Sequence, residues 1–139
     1  MLPWFLAFGI SPAGGVLETR TEKVTATQQI ALETLEVRHT AGVGAKKGDR
    51  VTVSYRFESA GTLLVDSERL GVPFTFVLGD EEVPSAFQLG VQGLQLKGYR
   101  KAKASPLAFG EGFAQRWPEL KSQVTFEITV IGLERPKAP

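Results

Sequence analysis

Hydrophobic and polar positions alternate with a period of two along three stretches of the chain. Val51, Val53, Tyr55 and Phe57 are interleaved with Thr52, Ser54, Arg56 and Glu58; Phe74, Phe76 and Leu78 repeat the arrangement; Val124, Phe126, Ile128 and Val130 alternate with Thr125, Glu127 and Thr129. Successive side chains of a strand point to opposite faces, so each stretch predicts a strand with one apolar face, as an antiparallel sheet covered on one side requires. LEVRHT and YRKAKA are two further strand candidates. In the second, Lys101 and Lys103 alternate with Ala102 and Ala104, which reads as a solvated outer face over small inward residues rather than a phosphate track. Turns are expected at Lys47-Gly48-Asp49 and Ala60-Gly61, where glycine admits backbone angles other residues resist.

One segment departs from this period. After Pro84, the residues Phe87, Val91 and Leu94 fall on one face of a short helix, and proline is tolerated in a helix's first turn. A sheet with one face covered by a single helix is an α+β domain, and the helix must bring its apolar stripe, led by Phe87, onto the concave side.

Composition narrows the chemistry. The 139 residues, 42% hydrophobic and 22% charged, suffice for one core and are too few for two ordinary domains. A net charge of +1, with both signs spread along the chain, gives no electrostatic reason to expect nucleic acid or an anionic membrane as partner. With no cysteine and one histidine, His39, there is no disulfide, no thiolate nucleophile and no zinc site built from several soft or imidazole ligands. A Ser-His-Asp triad would have to rest on His39 alone. No cofactor is expected.

Residues 1–30 read as a leader and residues 31–139 as the domain. The apolar run of residues 2–10, with Ser11 and Ala13 spaced for cleavage before Gly14, has features of an export signal, but no basic residue precedes it. It falls far short of the roughly 20 residues that span a bilayer, so no membrane span is expected. Cytoplasm and export both stay open. Residues 14–29, with Thr19, Thr21, Thr25 and Thr27 and little aliphatic content, read as a tail or an added edge strand.

The succession KKGDRVTVSY, VDSE, PFTFVLGDEEVPSAFQLGVQGL, SPLAFGEG and VTFEITVIGL resembles the FKBP-type peptidyl-prolyl cis-trans isomerases. The resemblance runs over residues 35–133, in the family's order and near its spacings. It implies a half-wrapped antiparallel sheet of about five strands around one short helix, with a shallow apolar pocket between them. By the resemblance, Tyr55, Val65, Asp66 and Phe74 line that pocket, Glu82 and Val83 precede the helix, Phe87 forms the floor and Phe126 a wall. Phe109 takes the place of a tyrosine whose hydroxyl bonds the bound ligand, and Trp117 and Pro118 fall on the loop over the rim. Proline-containing peptides and rapamycin-type macrolides are the implied partners.

Such a pocket has a chemistry of its own. Rotation about an Xaa-Pro bond faces a barrier of roughly 18–20 kcal/mol because the planar amide is resonance-stabilised. In the twisted transition state the resonance is lost and the carbonyl carries less negative charge, so the amide gives up less hydration on entering an apolar site. The site therefore prefers the transition state, without metal, thiolate or proton transfer. Asp66, beside aromatics, is expected to accept a hydrogen bond from the Tyr55 hydroxyl, with Arg69 as a second partner. By alternation, Phe57 and Phe76 read as core.

Three departures from the family pattern bear on activity. Phe109 cannot donate a hydrogen bond, and Val65 replaces the usual phenylalanine before the aspartate. In one register Pro84 occupies the position whose backbone N–H bonds the ligand, and proline has none to offer; in the other, Val83 sits there and Pro84 starts the helix. A proline-binding or chaperone module of the same fold, weak in turnover, is therefore the alternative reading.

Overall fold

The computed structural model describes residues 16–23, 29–110, 115–116 and 123–135. Its strands are β1 (Glu18–Lys23), β2 (Gln29–Arg38), β3 (Arg50–Ser59), β4 (Thr62–Asp66), β5 (Phe74–Val77), β6 (Tyr99–Ala104) and β7 (Val124–Glu134). Two helices, α1 (Ser67–Leu70) and α2 (Ser85–Val91), and a 3-10 turn, Pro106–Phe109, lie between the strands; residues 115–116 are also helical. The strands form one antiparallel sheet in the order β1-β2-β6-β7-β3-β4, with β5 also paired to β3. Along one side of β3, β5 pairs with residues 50–53 and β4 with residues 56–59, while β7 runs along the other side. The sheet thus has seven strands among the described residues rather than about five. The additional ones are β1 and β4, neither of which carries an apolar alternation: Thr19 and Thr21 are exposed, and residues 63–66 of β4 are all half-buried.

The three alternating stretches fold as their period requires. Val51, Val53, Phe57, Phe76, Val124, Phe126, Ile128 and Val130 are all buried on the inner face. The β3–β4 hairpin closes through Ala60 and Gly61, with φ of 49° and 82° and Ser59 paired to Thr62. Positive φ at both central residues matches the twist of paired strands, but for Ala60 it is a left-handed conformation that an L-residue resists.

Helix α2 covers the inner face. A Cβ on Gly90 would lie 3.1 Å from Ile128 Cδ1 and 3.3 Å from Phe126 Cε2, so the absence of a side chain there lets the helix settle onto β7. Pro84 is the N-cap, and the helix ends before Leu94. Leu94 is nevertheless fully buried, because its N–H donates to Val91 O and its carbonyl accepts from Ala45 N–H. The apolar stripe read from the sequence therefore continues through a turn. No helix among the described residues is long and apolar enough to cross a membrane.

Candidate functional site

Phe87, in the first turn of α2, is the point where the aromatic residues converge. Its ring meets Tyr55 edge-on at 5.5 Å between centroids and Phe74 at 4.8 Å, with Phe76 and Phe57 each at 5.9 Å. Edge-to-face pairs at these separations contribute beyond their buried area, because the positive edge of one ring meets the negative face of the next. Phe109 and Phe126 join through Phe57, which lies 4.7 Å from Phe109 and 6.3 Å from Phe126; the latter two are 5.2 Å apart. Tyr55, Phe74, Phe87, Phe109 and Phe126 are thus gathered into one cluster, with Tyr55 and Phe74 half-buried at its open side and Phe126 fully buried at its base.

Local structure fixes these rings. The Tyr55 N–H donates to Ser67 Oγ at 2.8 Å, and Ser67, at the start of α1, is buried. Gln88 accepts from Gly79 N–H at 2.8 Å through Oε1 and donates to the Asp80 carbonyl through Nε2, stapling the turn after β5 to the helix that bears Phe87. The loop holding Phe109 reaches the same helix: a Cβ on Gly110 would be 3.6 Å from Pro84 Cγ.

By alternation Phe57 belongs to the core. It is buried, but it also touches Tyr55 at 5.1 Å and links the two halves of the cluster. Its partner across the β3–β4 ladder is Val65, so the wall position that valine leaves narrow on β4 stands beside a ring on β3. No sequence signal separated Phe57 from the core, since core and cluster occupy one face of the strand.

The expected bond between the Tyr55 hydroxyl and Asp66 is not formed. Asp66 is the N-cap of α1, and its Oδ1 accepts the Glu68 N–H at 3.0 Å. Among the described residues no hydrogen bond or ion pair links its carboxylate to Tyr55 or Arg69. The orphan N–H of a helix start, two residues away in sequence, is satisfied by Asp66 in place of a hydroxyl on another strand. Asp66 remains half-buried next to Val65, and both border an apolar cleft with Leu64 and Leu70.

Before α2, Glu82 is exposed and its N–H donates to Asp80 Oδ1 at 3.0 Å. Val83 is half-buried against the core, and its N–H donates to the Asp80 carbonyl at 3.1 Å. With Pro84 lacking a donor, both backbone positions that the resemblance offered for a ligand bond are committed or empty. Trp117 and Pro118 lie outside the described residues.

On the outer face of the sheet, the Tyr99 hydroxyl donates to Glu127 Oε1 at 2.6 Å, and the Arg38 guanidinium lies 4.9 Å from its ring centre. Burial, then the hydrogen bond and charge of Glu127, push the Tyr99 phenol well above the usual tyrosine range. Among the described residues no group of three His, Cys, Asp or Glu side chains could hold a metal ion.

Known proteins resemble this chain in sequence and in fold. Over 96 residues the chain is 35% identical to FK506-binding protein 3 of Yarrowia lipolytica, a match covering 67% of this chain and 23% of that protein. Over 126 residues it is 33% identical to FK506-binding protein 4 of Neurospora crassa, covering 88% and 26%. The chain spans about a quarter of the length of these curated relatives. The crystal structure of FkpA from Escherichia coli superposes with a TM-score of 0.59 at 19% identity, covering 89% of this chain and 53% of that one, which shows the same fold. The family model for FKBP-type peptidyl-prolyl cis-trans isomerases matches residues 42–131. That span holds β3 through most of β7, all the rings of the cluster and the helix that carries Phe87, and the chain belongs to the FKBP-type peptidyl-prolyl cis-trans isomerase family.

Proposed function

We propose that this chain accelerates cis-trans rotation of Xaa-Pro peptide bonds in other polypeptides during folding. The observation that carries the reading is the convergence of Tyr55, Phe74 and Phe87, at 4.8–5.5 Å between centroids, on the open side of the sheet. A proline ring seated against Phe74 and Phe87, with Phe126 supporting them from the buried base and Val65 and Val83 beside it, would leave water while its amide is twisted. The planar amide loses more hydration there than the twisted one, so binding favours the transition state. Asp66 would add a negative field near the carbonyl carbon, which becomes more electropositive as resonance is lost. Glu82 and Val83 would flank the bound chain. The same pocket would take an FK506- or rapamycin-type macrolide as a proline mimic.

A second reading rests on the committed donors. Phe109 has no hydroxyl, Pro84 no N–H, and the Val83 N–H is spent on Asp80. Each missing neutral hydrogen bond is worth roughly 0.5–1.5 kcal/mol, which would favour a binding or chaperone module with slow turnover.

One experiment decides between them. The cis-to-trans relaxation of a Leu-Pro peptide is followed with catalytic amounts of protein, with and without rapamycin. Acceleration that the macrolide blocks supports the isomerase at this pocket. Macrolide binding without acceleration supports the binding module, and neither effect refutes both.

A further inference from the structure

Helix α2 ends without a basic residue in its own last turn, yet its terminal carbonyls are satisfied. The Val91 carbonyl accepts from Leu94 N–H at 2.9 Å. The other carbonyls of this end receive side-chain donors from two strands: Arg20 Nη1 of β1 donates to Leu89 O at 2.8 Å and to Gln92 O at 2.7 Å, and Arg100 Nε of β6 donates to Gly90 O at 2.8 Å. Glu18 Oε1 ties the two arginines together, 2.7 Å from Arg20 Nε and 3.4 Å from Arg100 Nη1. Arg100 is 2% exposed and also donates to Thr34 Oγ1 at 2.7 Å. Burial, then the Arg20 charge, draw its pKa down to about 10 while Glu18 raises it, so the Arg100 guanidinium stays cationic at neutral pH.

Cations at a helix C-terminus meet the negative end of its dipole, and the planar guanidinium holds its donors in a fixed, pre-organised fork, whereas a lysine ammonium is a point charge on a flexible stem. Gly93, with φ of 87°, turns the chain away from the helix, and a Cβ there would find only Arg20 Nη2 within 4 Å, at 3.8 Å. The seven residues of α2 make about two turns, so a displacement at this end is carried to the first turn, where Phe87 sits. Strand β1 precedes the span shared with the family model, residues 42–131.

We infer that Arg20 is a positioning residue: through it the N-terminal edge strand holds the end of α2, and so Phe87, in place beneath the proline site. The consequence for activity rests on the isomerase reading above; the consequence for Phe87 does not.

The test compares the full chain with Arg20→Ala, Arg20→Lys and, on the exposed side of the same strand, Thr21→Ala. Phe87 ring resonances, kcat/KM on a Leu-Pro peptide and thermal midpoint are measured for each. Arg20→Ala should shift the Phe87 resonances and lower kcat/KM about fivefold or more, since small misplacements of a site residue are costly in rate. Arg20→Lys should recover part of both, and Thr21→Ala should leave the Phe87 resonances in place and kcat/KM within about twofold, the range of ordinary surface changes. Arg20→Ala with unmoved resonances, or a Thr21→Ala variant with the same losses, would overturn the inference. If no protein accelerates the peptide, the isomerase reading fails and the Phe87 resonances alone decide this one. If Arg20→Ala does not fold, Arg20→Lys is judged by the same readouts against the wild type.

Discussion

Replacing Asp66 by alanine and by asparagine separates its structural contribution from the role proposed for it in turnover. Its Oδ1 accepts the Glu68 N–H at 3.0 Å as the N-cap of α1. Alanine removes that acceptor, at a cost of about 1 kcal/mol, whereas asparagine retains a side-chain oxygen and caps about as well. For a domain of this size 1 kcal/mol corresponds to roughly 3–5 °C in Tm. The catalytic share has a different origin. A carboxylate about 5 Å from a partial charge of about 0.3 on the carbonyl carbon, at an effective dielectric of about 20, contributes about 1 kcal/mol, or roughly fivefold in rate. Asp66→Ala should therefore lose both stability and rate, and Asp66→Asn should keep Tm but lose about fivefold in kcat/KM. Circular dichroism melts and peptide relaxation on the same preparations supply the two numbers. Equal losses of Tm in the two variants would refute the capping account; full activity in Asp66→Asn would refute the part given to the carboxylate.

Ala60, held at φ 49° in the β3–β4 turn, should tolerate asparagine better than alanine, and Ala60→Asn is expected to raise stability by about 1 kcal/mol in a denaturant titration. The phenol of Tyr99 is neutral-favouring in the folded chain, so its contribution is full below the ordinary tyrosine value of about 10 and is lost as pH rises through the elevated folded value. A spectrophotometric titration should show a late phenolate step that disappears in Tyr99→Phe; early ionisation of that phenol would contradict the Glu127 pairing.

Much of the sheet was legible because apolar and polar residues alternate in β3, β5 and β7, whose inner faces are buried as that period demands. The exposed threonines of β1 carry no apolar face, so its sequence fits a tail as well as an edge strand; the strand is held in part by Arg20, whose carbonyl partners lie about 70 positions away. Arg100 is in phase with Ala102 and Ala104, opposite the solvated Lys101 and Lys103, and is buried with them. Nothing local announces the Thr34 hydroxyl and Gly90 carbonyl that receive it. The cluster around Phe87 was readable through the family resemblance, while Phe57 was not separable from the core because both share one strand face. The expected Tyr55–Asp66 bond gives way to a local backbone donor, the Glu68 N–H, that competes for the same carboxylate.

The most direct test of the central claim is the cis-to-trans relaxation of a Leu-Pro peptide catalysed by the wild type and by Phe87→Leu, each verified as folded. Loss of the ring that meets Tyr55 and Phe74 should lower kcat/KM about tenfold, or roughly 1.4 kcal/mol of transition-state stabilisation. A folded Phe87→Leu protein that accelerates the peptide as well as the wild type would contradict the account.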